Sequence, residues 1–176
     1  WVREDALDSL IHPEAVRTRL GELNAKKVYE ARGVIEIALT EMAARRASAN
    51  DVEAIWSALE RMEATIEDDE AFVDADLDFH LAVARAGGNE LLEQFYHLSR
   101  RLVVQVILEV LHLPKVKQDS IPYQRAIVEA IEAGDPDQAR EAAEAHMAYV
   151  DTLLERWSAG KATQQTRDRK STRLNS

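Results

Sequence analysis

Cysteine is absent from this chain of 176 residues, and glycine and proline are scarce, at 6 and 4. Without cysteine there are no disulfides, thiolate metal ligands or cysteine nucleophiles, and the composition suits a reducing cytoplasm, the expected location. No uninterrupted apolar run approaches the roughly 18 residues of a transmembrane helix, so no membrane role is expected. The opening Trp1-Val2-Arg3-Glu4-Asp5 lacks the basic-then-apolar pattern of a signal peptide. No period-two alternation survives along the chain, which leaves strands without support. What is present is 46% hydrophobic and 31% charged residues, enough at this length for one buried core.

The charge is unevenly placed. From Lys161 onward there are five basic residues and one acid, so the overall −10 leaves −14 on residues 1–160. A surface that acidic repels a phosphate backbone and does not hold nucleic acid by itself. The segment 159–176 has no apolar periodicity and reads as a disordered tail. Its last stretch, Asp168 to Ser176, resembles a translated sequencing adaptor rather than native protein.

Helical periodicity marks six segments. The first spans about Ala25 to Ala47, with Val28, Ile35, Leu39 and Met42 on one face. Ser48-Ala49-Asn50-Asp51 breaks and caps the second, which carries Val52, Ile55, Leu59, Met62 and Ile66. The third covers about Ala71 to Ala86. Gly87-Gly88-Asn89 separates it from a long fourth, Glu90 to about His112, which Pro114 ends. A short fifth covers about Tyr123 to Ala133. Gly134-Asp135-Pro136 then supplies a stop, a cap and a first-turn proline for the sixth, which reaches about Trp157. The expected fold is all-α, an antiparallel bundle of about six to seven helices with short loops. Residues 1–24, interrupted by Pro13, read as a linker or helical lead-in.

Polar residues sit on faces that should be buried. Asp76 and His80, four apart, share a face with Val73, Leu77 and Ala84. They are either a surface pair or two ligands of a divalent cation, since both supply donors that suit zinc, nickel or manganese. His146 stands among Ala142, Ala143, Tyr149, Val150 and Leu153, either as a hydrogen-bonded core histidine or as a further ligand. Arg32 lies beside Val28, Ile35 and Leu39, with Glu36 one turn on as a possible partner. Gln124 shares a stripe with Ile127, Val128 and Ile131. Four helices thus aim polar groups inward, which argues for one shared polar cavity. His97, beside Glu93 and Arg101, reads as solvated. His112 lies in a last helical turn, where a cation suits the macrodipole. Asn89 is a natural N-cap for the fourth helix. No nucleophile motif, paired catalytic carboxylates or Gly-rich phosphate loop is present, so no enzymatic activity is expected.

At these residues the chain resembles a known family. Val28-Tyr29-Glu30-Ala31-Arg32-Gly33-Val34-Ile35-Glu36 is similar to the opening "E-x-R-x-x-[IL]-E" helix of the FCD effector domain. That domain is the C-terminal half of FadR-subfamily GntR transcription regulators. Asp76 to His80 with Ala86-Gly87-Gly88-Asn89 resembles its "D-x-x-FH … GN" signature. Arg125 to Gly134-Asp135 and Ala142 to His146 match its "AI…GD" and "A-x-x-x-H" elements. The ordered set covers roughly residues 25–158.

The resemblance implies a helical bundle that binds a small organic acid, often through a divalent metal held by an aspartate and three histidines. The ligand role falls on Asp76, His80 and His146. Gln124 stands where the third family histidine would be. The resemblance gives Arg32 the effector carboxylate, and sets Asn89 and Gln124 near the effector. It further implies a homodimer, with operator DNA met through a winged helix-turn-helix domain that would precede this chain. A small metal-dependent helical-bundle enzyme and a purely structural interaction bundle are the alternatives.

Overall fold

The computed structural model describes the backbone of residues 25–174 and the side chains of 26–160, except 98, 100–103 and 105. The expected lead-in, 1–24, lies outside the described residues. Six helices follow one another, with no strand among the described residues: α1 (Ala25–Arg46), α2 (Ala49–Ala64), α3 (Asp69–Ala86), α4 (Glu90–Val110), α5 (Val116–Glu132) and α6 (Pro136–Leu174). The all-α bundle expected from periodicity is the fold observed. No helix of the described residues is long and apolar enough to cross a membrane.

The helix starts follow local chemistry. The Ser48 hydroxyl accepts from the Asp51 amide while the Asp51 carboxylate accepts from the Ser48 amide, closing a capping box on α2. Asp68 caps α3 through the Ala71 amide, and Asn89 caps α4 through the Leu92 amide at 3.2 Å. Asp135 accepts from the amides of Asp137 and Gln138 ahead of Pro136. Gly88 (φ +63°) and Gly134 (φ +65°) adopt the left-handed conformation that ends α3 and α5. Gly87 lies so close to α1 that an added Cβ would stand 3.0 Å from the Leu39 carbonyl oxygen.

Two helices exceed their expected ends. The fifth begins at Val116 rather than near Tyr123, with Pro122 inside it. Proline removes one backbone hydrogen bond there, but Val116 and Ser120 are buried, and that packing outweighs the local penalty. The sixth continues past Trp157 to Leu174, so the segment read as a disordered tail is helical as far as it is described. Gly160 is a single weak breaker, and no proline follows it to stop the ladder.

The bundle is layered around α1 and α3. Helix α1 packs on α3, α4, α5 and α6, while α2 covers α3 and α5. Leu39, Ile55, Leu59, Met62, Leu77 and Phe79 are among the side chains sealed almost completely from solvent. The core is therefore continuous along α1, α2, α3 and α5. Between α1, α3, α5 and α6 it gives way to polar side chains.

Candidate functional site

Seven polar or charged residues are buried among the described residues: Arg32, Glu36, Thr40, His80, Ser120, Gln124 and His146. Six of them, Arg32, Glu36, His80, Ser120, Gln124 and His146, line one cavity of about 70 Å³ together with Asp76. Each comes from the inward face of a helix. Arg32 and Glu36 are one turn apart on α1, Asp76 and His80 one turn apart on α3, Gln124 is on α5 and His146 on α6. The four-helix convergence expected from the apolar stripes is what the structure builds.

The Arg32 Nε–H donates to Glu36, and its Nη2 donates to the Tyr96 hydroxyl at 3.0 Å. The guanidinium also stands 5.3 Å from the centre of the Tyr96 ring and 5.7 Å from that of Tyr29. Burial alone would push its pKa down. The Glu36 carboxylate beside it more than offsets this, with help from the Tyr96 and Tyr29 oxygens, so Arg32 stays charged. Burial pushes both of those tyrosine hydroxyls well above their ordinary range. Tyr96, sealed at the centre of the bundle, is a site residue that periodicity assigned to no role.

The two imidazoles lie side by side, with ring centres 5.1 Å apart. His80 places Nδ1 3.5 Å from Glu36 and Nε2 3.7 Å from Asp76. Burial, reinforced by the Arg32 charge, drives its pKa well below the ordinary histidine value. Burial, and then His80, lowers that of His146 to about 3. Both are therefore neutral at pH 7, the form in which imidazole binds metal.

Glu36, His80 and His146 each offer a donor atom within 4.8 Å of the others. Asp76, the carboxylate expected with these histidines, is not in that tight cluster. Its Oδ1 accepts a 2.7 Å hydrogen bond from Gln124 Nε2 and stands beside His80 Nε2 instead. Glu36 was legible only as a partner for Arg32, because an i,i+4 spacing says nothing about a third helix. Asn89 lies outside the cavity lining, and its side chain is used as the α4 cap. The expectation that it reaches the pocket is not met: its Oδ1 is turned to the Leu92 amide. His97 sits 3.9 Å from Glu93 on a part-exposed surface, as expected.

Among the described residues two buried polar atoms have no hydrogen-bond partner: Gln124 Oε1 and His146 Nδ1. Such atoms are uncommon in a native interior, because each carries the cost of its lost hydration. Here both belong to side chains that line the cavity. The opposite wall is apolar, from Phe72, Ile107, Val110, Leu111 and Leu153. The arrangement can hold a small polar molecule, a cation, or both.

The chain is similar to several known proteins. A protein of Escherichia coli strain K12, whose name assigns it to regulation of the L-lactate dehydrogenase operon, is 34% identical over 140 residues. That match covers 77% of this chain and 53% of the relative. The HTH-type transcriptional regulator LutR of Bacillus subtilis strain 168 is 28% identical over 160 residues, covering 88% of this chain and 73% of LutR. Among solved structures, Streptococcus agalactiae GntR superposes with a TM-score of 0.63 at 22% identity, over 85% of this chain and 65% of that one. E. coli McbR/YncC does so with 0.64 at 16%, over 81% and 83%. These two show the shared fold alone. The chain spans about half the length of the E. coli relative. The family model described as FCD domain matches residues 27–149. By that match, the chain belongs to the FCD family, the effector-binding domains of GntR-type transcription regulators, which are not enzymes.

Proposed function

We propose that this domain senses a small organic acid, whose carboxylate is taken by the Arg32 guanidinium inside the cavity. The supporting observation is the burial of that guanidinium at the cavity wall with part of its fork uncommitted. Nε and one hydrogen of Nη2 are engaged by Glu36 and Tyr96, and the Nη1 amine is left for a ligand. Planar bidentate pairing with a carboxylate is what this group does best in a site with little water. Two relatives are named for an L-lactate dehydrogenase operon and a galactonate operon, which is compatible with an acid as effector. Arg32→Lys keeps the charge but loses the fork, and should weaken effector binding by about 1–3 kcal/mol. A thermal-shift screen of small carboxylates on both proteins measures this, and equal affinities would refute the assignment.

A divalent cation fits the same cavity. His80 and His146 are neutral, the His146 Nδ1 is unpartnered, and Glu36 completes a nitrogen–nitrogen–oxygen donor set suited to zinc, nickel or manganese. Asp76 stands next to His80 as a second carboxylate. Formal charges also favour a cation. Arg32, Glu36 and Asp76 sum to −1, which opposes an anionic effector. A bound dication would supply the positive charge and an open position for an anionic oxygen. In a family that often uses an aspartate and three histidines, Gln124 occupies the third histidine's place. Gln124→His should therefore raise metal affinity and make it more pH-dependent, because one more imidazole must lose its proton. Titration of both chelator-stripped proteins with zinc checks this; equal affinities would remove the cluster from the list of metal sites.

We also propose that the domain works as a homodimer, with operator DNA met by the winged domain that the family carries ahead of this one. The acidic surface is suited to sensing rather than to gripping DNA. Val34 on α1 and Leu91 and Phe95 on α4 are large apolar side chains left exposed, and they are the candidate interface. Phe95→Glu should halve the mass seen by light scattering at micromolar concentration. A single-chain mass for the unaltered protein would count against the dimer.

A further inference from the structure

The unpartnered atoms say more about the effector than that it is an acid. Gln124 is fully buried, and its Nε2 is turned to the Asp76 carboxylate at 2.7 Å. A carboxylate oxygen accepts only, so the amide orientation is settled, and Oε1 is the atom left without a donor. What completes the site must bring a hydrogen-bond donor to Oε1 in addition to the carboxylate that Arg32 takes. With no cation bound, His146 Nδ1, also unpartnered, needs a donor or an acceptor according to its tautomer. A hydroxyl supplies both functions from one oxygen.

Size and lining narrow the class. A buried water needs roughly 10–15 Å³ of such space, so about 70 Å³ admits a molecule of about six non-hydrogen atoms. Sugar acids are about twice that size. Phe72, Val110, Leu111 and Leu153 on the remaining wall accept a methyl or ethyl group. The Ser120 and Tyr149 hydroxyls, which also line the cavity, already donate to the Lys117 and Val116 carbonyl oxygens. An ammonium in place of the hydroxyl would bring a full charge and three donors to two unpartnered atoms.

We propose that the cavity selects a short 2-hydroxy monocarboxylate: the carboxylate on Arg32, the hydroxyl donating to Gln124 Oε1, and a small alkyl end against the apolar wall. The proposal rests on the reading of Arg32 as the carboxylate anchor. It adds a specificity role for Gln124, a residue that would otherwise count only as a missing histidine.

The test compares matched acids on the 176-residue chain by calorimetric titration, in zinc-containing buffer and again after chelation. The probes are L-lactate, propionate, L-alanine, 3-hydroxypropionate and gluconate. L-Lactate should bind at least tenfold more tightly than propionate, with 3-hydroxypropionate and L-alanine weaker than L-lactate and gluconate not binding. In Gln124→Met, which keeps the length and removes the acceptor, the lactate-to-propionate ratio should fall toward one. If propionate matches L-lactate, the hydroxyl is not read and the proposal is overturned, while Arg32 as carboxylate anchor survives. If the preference persists undiminished in Gln124→Met, another group reads the hydroxyl and the assignment to Gln124 is overturned. If none of the acids binds in either buffer, the carboxylate reading itself fails, and this proposal with it. Should Gln124→Met fail to fold, the ratios on the unaltered chain still decide whether a hydroxyl is read.

Discussion

Glu36→Ala should destabilise the domain by about 3–5 kcal/mol, because it strands a charged guanidinium inside the bundle. Arg32 and Glu36 are 4% and 6% exposed, and a neutral water entering from the cavity does not replace the lost carboxylate charge. The Tyr96 hydroxyl would remain on Arg32, but a neutral oxygen does not balance a cation. For a chain of this size the melting temperature should fall by about 6–20 °C. The double variant Arg32→Met, Glu36→Leu removes both charges and fills the same space with apolar atoms. It should recover most of the loss, since replacing a whole buried pair is often neutral or stabilising. It should also bind no carboxylate, which separates what the pair does for function from what it does for stability. Urea denaturation of the three proteins reads the cycle. A loss below about 1 kcal/mol for Glu36→Ala would mean that the pair behaves as an exposed one.

Acidification from pH 7 to pH 5 should cost the metal-free domain several kcal/mol, well before carboxylates take up many protons. The cause is the burial of His80 and His146 as neutral imidazoles. In the unfolded chain both bind a proton near the ordinary histidine pKa of about 6.5. In the folded chain the pKa is depressed, for His146 to about 3, so the folded state binds fewer protons throughout the interval. Stability is therefore unaffected above pH 6.5 and falls as pH drops below it, until the folded pKa is reached. Each histidine contributes a slope of about 1.4 kcal/mol per pH unit. At pH 5 this is about 2 kcal/mol for each. Urea midpoints at pH 7, 6 and 5 after chelation measure it, and a flat profile would show that the pair is protonated or hydrated when folded. Zinc binding to the neutral imidazoles should deepen the difference between pH 7 and pH 5.

The path from residues to site shows which inferences local rules support. The helix starts at Ser48, Asn89 and Asp135 rest on chemistry within three residues, and so were readable from a single chain. Apolar stripes of period 3.6 imply a bundle without knowledge of any contact, because a one-sided helix must bury that side. Polar residues inside those stripes pointed to a shared cavity for the same reason. Arg32, Asp76, His80, Gln124 and His146 were all legible in that way.

Spacing along one helix could not say which of those groups meet across helices. The choice between Glu36 and Asp76 beside the two imidazoles depends on how α1 and α3 are rotated against α6, a property of packing that no local interval encodes. Asn89 matches a motif, yet whether its side chain caps a helix or reaches a pocket depends on the direction in which α4 leaves the turn. Val116 and Ser120 form the first turn of α5 despite Pro122 because they are buried, and burial is a consequence of the assembled bundle. Composition and periodicity thus determined the fold class, the caps and the inward-facing polar set. Only the tertiary structure decided the pairings, the role of Tyr96 and the two unpartnered atoms, because each depends on groups more than forty residues apart in sequence or on the space left between helices.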